Sequence, residues 1–323
     1  MKSRFYITGE DFGCHSLYKL HDDKTREYVS IIPTLGGSIN NLALRLNGRL
    51  VDIIDGYNSE ADIKKNLQTS FKGSNLYPFP NRLEGGKFKF KDQNYQLECN
   101  FPQENNAIHG LVFNKPFDVI AKEDGDIGCT LILRYLSTKE ESGYPFDNMI
   151  ETVYKWTEES QFECTTKITN LSDNSMPVGH GWHPYFMAGN IAVDNLYVQF
   201  PSKEILEVNE KGIPTGKKSE YQEFNSLTQL KNTSFDSCFL LKTDTDKAEI
   251  IVENKKDNFK YNIWQETGIH KYNYLQVYTP PSRKSIAFEP MTCAPNAFNN
   301  GDGLIVLAPQ ERIAFSWGVK AIQ

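Results

Sequence analysis

Two histidines, three large aromatic rings, two glycines and a proline fall within eight residues at Gly179-His180-Gly181-Trp182-His183-Pro184-Tyr185-Phe186. An imidazole gives or takes a proton near neutral pH, and aromatic rings present flat apolar faces. Pro184 fixes its own φ and drives His183 toward an extended conformation. A histidine held on an extended segment beside aromatic walls suits proton transfer. His180 and His183 have the H-x-x-H spacing that supports zinc on a helix. The proline and glycines argue against a helix, however, and no neighbouring Cys or acidic residue completes a ligand set. No metal and no cofactor are therefore expected. His183 is the stronger candidate of the two, because the Pro-Tyr-Phe that follows fixes it, and His180 is read as a bystander or supporting residue. Trp182 and Tyr185 are candidate walls, one of them destined for the core because strand neighbours alternate in direction.

Four other stretches carry chemistry-bearing side chains. Tyr77-Pro78-Phe79-Pro80-Asn81-Arg82-Leu83-Glu84-Gly85-Gly86 sets an asparagine and an arginine between prolines and a double glycine, a rigid platform of hydrogen-bond donors or a plain turn. Asn105-Asn106-Ala107-Ile108-His109-Gly110 ends a polar loop on a histidine. Asp236, in Ser234-Phe235-Asp236-Ser237-Cys238, precedes an apolar run and reads as a strand-start aspartate. Glu289 follows the apolar Ile286-Ala287-Phe288 and precedes Pro290, which places it at a strand end. A carboxyl in apolar surroundings has its pKa raised and becomes a better base near neutral pH.

The elements that must position these residues are strands. Apolar and polar residues alternate in 129–136, 150–156, 162–168, 248–252 and 312–317, and on either side of a polar turn at 91–94. The clearest helical signal is Ser59-Glu60-Ala61-Asp62-Ile63-Lys64-Lys65-Asn66-Leu67, with Ser59 and Asp62 as caps. No Gly/Ser linker, composition break or fixed-period repeat divides the 323 residues. An all-β chain of one domain over 1–323, a large antiparallel sandwich, is the expectation.

Composition narrows the function. A net charge of −6 gives no electrostatic reason to expect nucleic acid or anionic lipid as a partner. No signal peptide or membrane span is visible, and the six cysteines are scattered without a C-x-x-C pair, so a cytoplasmic protein with free thiols is expected.

In order along the chain, Asn81-Arg82, Gly85-Gly86-Lys87-Phe88, Asn106-Ala107-Ile108-His109-Gly110, His183-Pro184-Tyr185-Phe186, Phe235-Asp236 and Glu289 ahead of Pro295-Asn296-Ala297-Phe298-Asn299 resemble the aldose 1-epimerase (mutarotase) family. The resemblance implies a galactose mutarotase-like β supersandwich with a monosaccharide groove on one sheet. It implies Glu289 as the base at the anomeric hydroxyl and His183 as the acid at the ring oxygen. Arg82, His109 and Asp236, with Asn81 beside them, match sugar-binding positions. Gly-Trp-His-Pro-Tyr-Phe and Glu-Pro-Met-Thr depart from the corresponding segments of galactose mutarotases and resemble a divergent branch, which leaves the sugar open. A free hexose is the first expectation, handled by a monomer or homodimer. A hexose 6-phosphate, held by Arg283-Lys284, is an alternative. So are a non-catalytic carbohydrate-binding protein and a glycosidase using Asp236 and Glu289.

Overall fold

A computed structural model describes residues 3–138 and 143–322. Its strands follow the alternation read from the sequence. Gln161–Asn170 alternates half-buried and buried residues without a break, so every second side chain enters the core. The neighbouring runs form Gly128–Ser137, Asn148–Thr157 and Lys247–Asn254. The last strand is longer than its alternation suggests, Arg312–Ile322, because its far end pairs with Phe259–Glu266 up to Lys260. The turn at 91–94 is also tighter. Lys87–Phe90 pairs with Gln93–Gln96, and Lys91 adopts a φ of 54°, the left-handed geometry that two-residue hairpins use.

Three sheets dominate. Residues 5–52 form a five-stranded meander, and later segments build a nine-stranded and an eight-stranded sheet whose strand pairs are antiparallel. Phe162, Phe315, Trp317 and Val319 from the nine-stranded sheet share one buried cluster with Trp182, Phe239, Leu275, Val277 and Phe288 from the eight-stranded sheet. The core therefore lies between these two sheets, and each such side chain adds roughly 1.5–3 kcal/mol by leaving water. The all-β antiparallel architecture is what the alternation led one to expect.

The face of the eight-stranded sheet turned away from that core is free for chemistry. From its middle to one edge run Asp236–Leu241, Tyr274–Tyr278, Ile286–Met291, Gly181–His183 and Ser74–Leu76, in that spatial order. Ser74 lies opposite His183, Gly181 opposite Met291 and Gln276 opposite Glu289. Continuing the Gly181–Met291 register by two residues sets His183 opposite Glu289. Cross-strand partners share a face, so Ser74, His183, Glu289 and Gln276 form one row.

Loops and one helix roof this row. The helix Glu60–Ser70 starts at Ser59, whose side chain accepts the Asp62 amide, and ends at Phe71 with a φ of 48°. Among the described residues no helix is long and apolar enough to cross a membrane.

Gly110 holds the loop after Asn106–Ile108 against Tyr77. Its φ is 70°, and a Cβ there would stand 2.1 Å from the Tyr77 carbonyl oxygen. Gly110→Ala is expected to lower stability by about 1–3 kcal/mol, read as a lower urea midpoint, because both the left-handed backbone and the close approach exclude a side chain.

Candidate active site

His183 ends a strand that is entirely buried. Because the chain is extended there, residues three apart face opposite ways. Trp182 and His180 enter the core, and His183 enters the other face. His180 Nε2 lies 2.9 Å from Asn75 Oδ1, and the Tyr272 hydroxyl lies 3.0 Å from His180 Nδ1. Its backbone is latched to Thr292 through two 2.9 Å hydrogen bonds, with the His180 amide donating to Thr292 Oγ1 and the Thr292 amide donating to the His180 carbonyl. Burial pushes its pKa down to about 3, so it stays neutral. His180 is thus a support behind the site, tying the His183 strand to the end of the Glu289 strand.

Glu289 does not end its strand as the following proline suggested; it lies inside Ile286–Met291, with Pro290 in the strand. On its other side this strand pairs only at Ile286, Ala287 and Met291. A residue without an N–H fits where the ladder is interrupted. Glu289 is 1% exposed, and its Oε1 lies 3.3 Å from His183 Nε2. Burial raises the Glu289 pKa well above the usual value, Asp236 adds to the rise, and Arg82 opposes it. Burial lowers His183 to about 4. Each group alone is driven to its neutral form, but opposite charges 3.3 Å apart in a low dielectric attract strongly. The neutral pair and the ion pair therefore differ by one proton moving between facing atoms.

The second histidine arrives from a loop. Asn81 and His109 both have positive φ, 57° and 61°, a geometry that Asn and His enter more readily than most residues. The His109 amide donates to the Asn81 carbonyl at 2.9 Å, and the Asn81 amide donates to His109 Nδ1 at 3.3 Å. This leaves the His109 proton on Nε2. Burial, then His183 and Arg82, hold the His109 pKa well below its usual value. Its ring meets His183 edge-on at 5.0 Å and packs on Phe71 at 4.6 Å. Tyr185 stacks on His183 at 4.9 Å.

Arg82 and Asp236 also meet, at 3.4 Å. Arg82 is gripped more closely by Glu104, with Nε to Oε2 at 2.6 Å and Nη2 to Oε1 at 3.1 Å. Asn81 Oδ1 accepts the Arg82 amide at 2.9 Å. Gln276 Nε2 donates to Asp236 Oδ1 at 2.7 Å. His183, Glu289, Arg82, His109, Asp236 and Asn81 all line one open cavity of about 290 Å³, near the lower end of the usual range for small-molecule sites. A neighbouring cavity of about 450 Å³ contains no histidine.

Glu104, Gln276, Tyr278 and Phe71 line the same cavity and were not singled out from the sequence. Gln276 and Tyr278 follow from strand alternation once Glu289 is chosen. Nothing local marks Glu104 or Phe71, whose roles depend on contacts across the fold. Arg283 is elsewhere engaged: it binds Asp194, Ser234 and the carbonyls of Lys231 and Thr233, and it does not line the cavity.

A metal ion is one further use of such a cluster, since ligand atoms of His109, His183 and Glu289 lie within 4.8 Å of one another. The fit is poor. Ligation through His109 Nε2 would displace the proton that the Asn81 contact keeps there.

The family model for aldose 1-epimerase matches residues 17–319. The uncharacterized protein YihR of Escherichia coli is 28% identical over 240 residues, which cover 73% of this chain and 74% of YihR. A galactose mutarotase-like protein from Clostridium acetobutylicum superposes with a TM-score of 0.84 at 22% identity, covering 99% of each chain. A galactose 1-epimerase from Lactobacillus acidophilus superposes at 0.80 with 17% identity, again over 99% of each. At those identities the superpositions speak to the fold, whereas the family match spans nearly the whole sequence, and it is on that match that the chain belongs to the aldose 1-epimerase family.

Proposed function

We propose that this protein interconverts the α and β anomers of a free aldohexose such as glucose or galactose. The observation that carries the reading is the buried contact of 3.3 Å between His183 and Glu289, set in a cavity rich in hydrogen-bonding groups. Opening a cyclic hemiacetal needs one base and one acid acting on neighbouring oxygens. Glu289 removes the proton from the anomeric hydroxyl while His183 protonates the ring oxygen, and the C1–O5 bond breaks. The aldehyde turns about C1–C2, and closure on its other face returns both protons. One proton enters the cycle with the pair and one leaves with it, so the enzyme is restored.

The surrounding residues suit a sugar. Neutral His109 offers an Nε2–H donor, Arg82 offers guanidinium donors held by Glu104, and Asp236 accepts from hydroxyls. Tyr185 and Phe71 supply apolar faces. Among the described residues lining the cavity, Arg82 is the sole Lys or Arg, and two carboxylates already contact it. That balance favours an uncharged sugar over a 6-phosphate.

Polarimetry on freshly dissolved α-glucose and α-galactose tests the reading. Glu289→Gln and His183→Gln are each expected to lower kcat by about 10²–10⁴-fold, with KM less affected. Equal rates for wild type and Glu289→Gln across a panel of aldoses would sink the proposal. Sugar binding without acceleration by wild type would point to a carbohydrate-binding protein.

Stability supplies a second test. Facing His183, Asp236 and Arg82, the buried Glu289 carboxyl holds its proton to higher pH than it does in the unfolded chain. Its contribution is full below the unfolded pKa of about 4.3 and is lost as pH rises through the raised folded value. Glutamine has no such loss. The urea midpoint of Glu289→Gln is expected to exceed that of wild type at pH 8, with the gap narrowing toward pH 4. A gap that does not change with pH would contradict a buried, proton-retaining Glu289.

A further inference from the structure

The row that holds His183 and Glu289 has a hydroxyl at its outer end. Ser74 is the direct antiparallel partner of His183, and such partners point to one face with Cβ atoms about 4.5–5.5 Å apart. Ser74 is fully buried, and its Oγ makes no hydrogen bond among the described residues. His183 Nδ1 is likewise buried and meets no group beyond its own backbone. Unpaired buried polar atoms are rare in native proteins, and here two occur on facing residues.

The other neighbours of His183 are poorly placed to serve Nδ1. Tyr185 stacks on the ring face, at 28° between planes. His109 meets the ring edge-on, but with Nδ1 accepting the Asn81 amide its Nε2 carries the proton, so it has no lone pair left to accept from His183 Nδ1. The His183 carbonyl accepts from the Gly73 amide. The Ser74 backbone is held as well. Its amide donates to the Phe71 carbonyl, and Gly73 has a φ of 65° with Ile39 so close that a Cβ would meet its carbonyl at 2.0 Å. Only the Ser74 hydroxyl is left to turn, about a single bond.

We propose that Ser74 is a positioning residue for His183: its hydroxyl accepts the Nδ1 proton and so keeps Nε2 as the nitrogen that exchanges a proton with Glu289 and the sugar. An imidazole with a committed Nδ1–H presents a lone pair at Nε2 when neutral and a proton there when charged. Without that commitment the ring populates the opposite tautomer, in which neutral Nε2–H cannot accept. The effect on rate rests on the mutarotase reading; the effect on the ring does not.

The test uses the full chain with ¹⁵N-labelled histidine and three variants. Ring nitrogen shifts of His183 are expected to report Nδ1–H in wild type and in Ser74→Thr. In Ser74→Ala they move toward Nε2–H, and Ser74→Cys, a weaker acceptor, lies between. In parallel, kcat of Ser74→Ala falls about tenfold, the worth of one hydrogen bond, while KM holds and Ser74→Thr keeps the wild-type rate. The thermal midpoint of Ser74→Ala is expected to fall by a few degrees, because the buried Nδ1–H loses its acceptor, while Ser74→Thr stays near wild type. Unchanged ring shifts in Ser74→Ala would overturn the proposal, as would a wild type already in the Nε2–H form. If wild type shows no mutarotation, the function falls and the ring shifts alone decide the role of Ser74.

Discussion

The register between Gly181–His183 and Ile286–Met291 is the constraint on which the rest depends. One backbone pair, Gly181 with Met291, fixes it, and the His180–Thr292 latch holds it one residue further along. Two steps the other way, His183 and Glu289 come within 3.3 Å. A slip by one residue would turn His183 into the core and Trp182 into the cavity, because side chains on a strand alternate. The bulky Trp182, fully buried against Tyr154 and Trp317, makes such a slip costly. Core packing on one face thereby enforces chemistry on the other.

Burial then does what the register alone cannot. A carboxyl and an imidazole in water differ in proton affinity so that the imidazole holds the proton. Dehydration raises Glu289 and lowers His183, which draws the two together and makes a shared proton movable. Arg82 limits the rise at Glu289, and Glu104 in turn fixes Arg82. The electrostatics of the pair are therefore set partly by a loop carboxylate with no part in the row.

Much of this was legible in the chain. Period-two alternation gave the long strands, because each has one face in the core. The separation of His180 from His183 also follows from the extended geometry that leads up to Pro184. The position of Glu289 within its strand did not follow, since a proline is tolerated only where neighbouring strands leave the ladder open, and that is a property of the whole sheet. The Arg82–Glu104 grip spans 22 residues, and Phe71 reaches His109 across 38, so neither carries a local signature. Arg283 looked available in sequence because its acceptors lie 49 to 89 residues away.

The division between sheet and loops has an evolutionary reading. The row holding His183 and Glu289 is drawn from strands whose spacing a protein fold can hardly alter, whereas Thr69, Phe101 and Glu104 reach the cavity from the helix end and a loop. On the mutarotase reading proposed above, drift in those outer segments retunes which sugar is admitted while leaving the reaction intact. A lineage built this way diverges in diet before it diverges in chemistry.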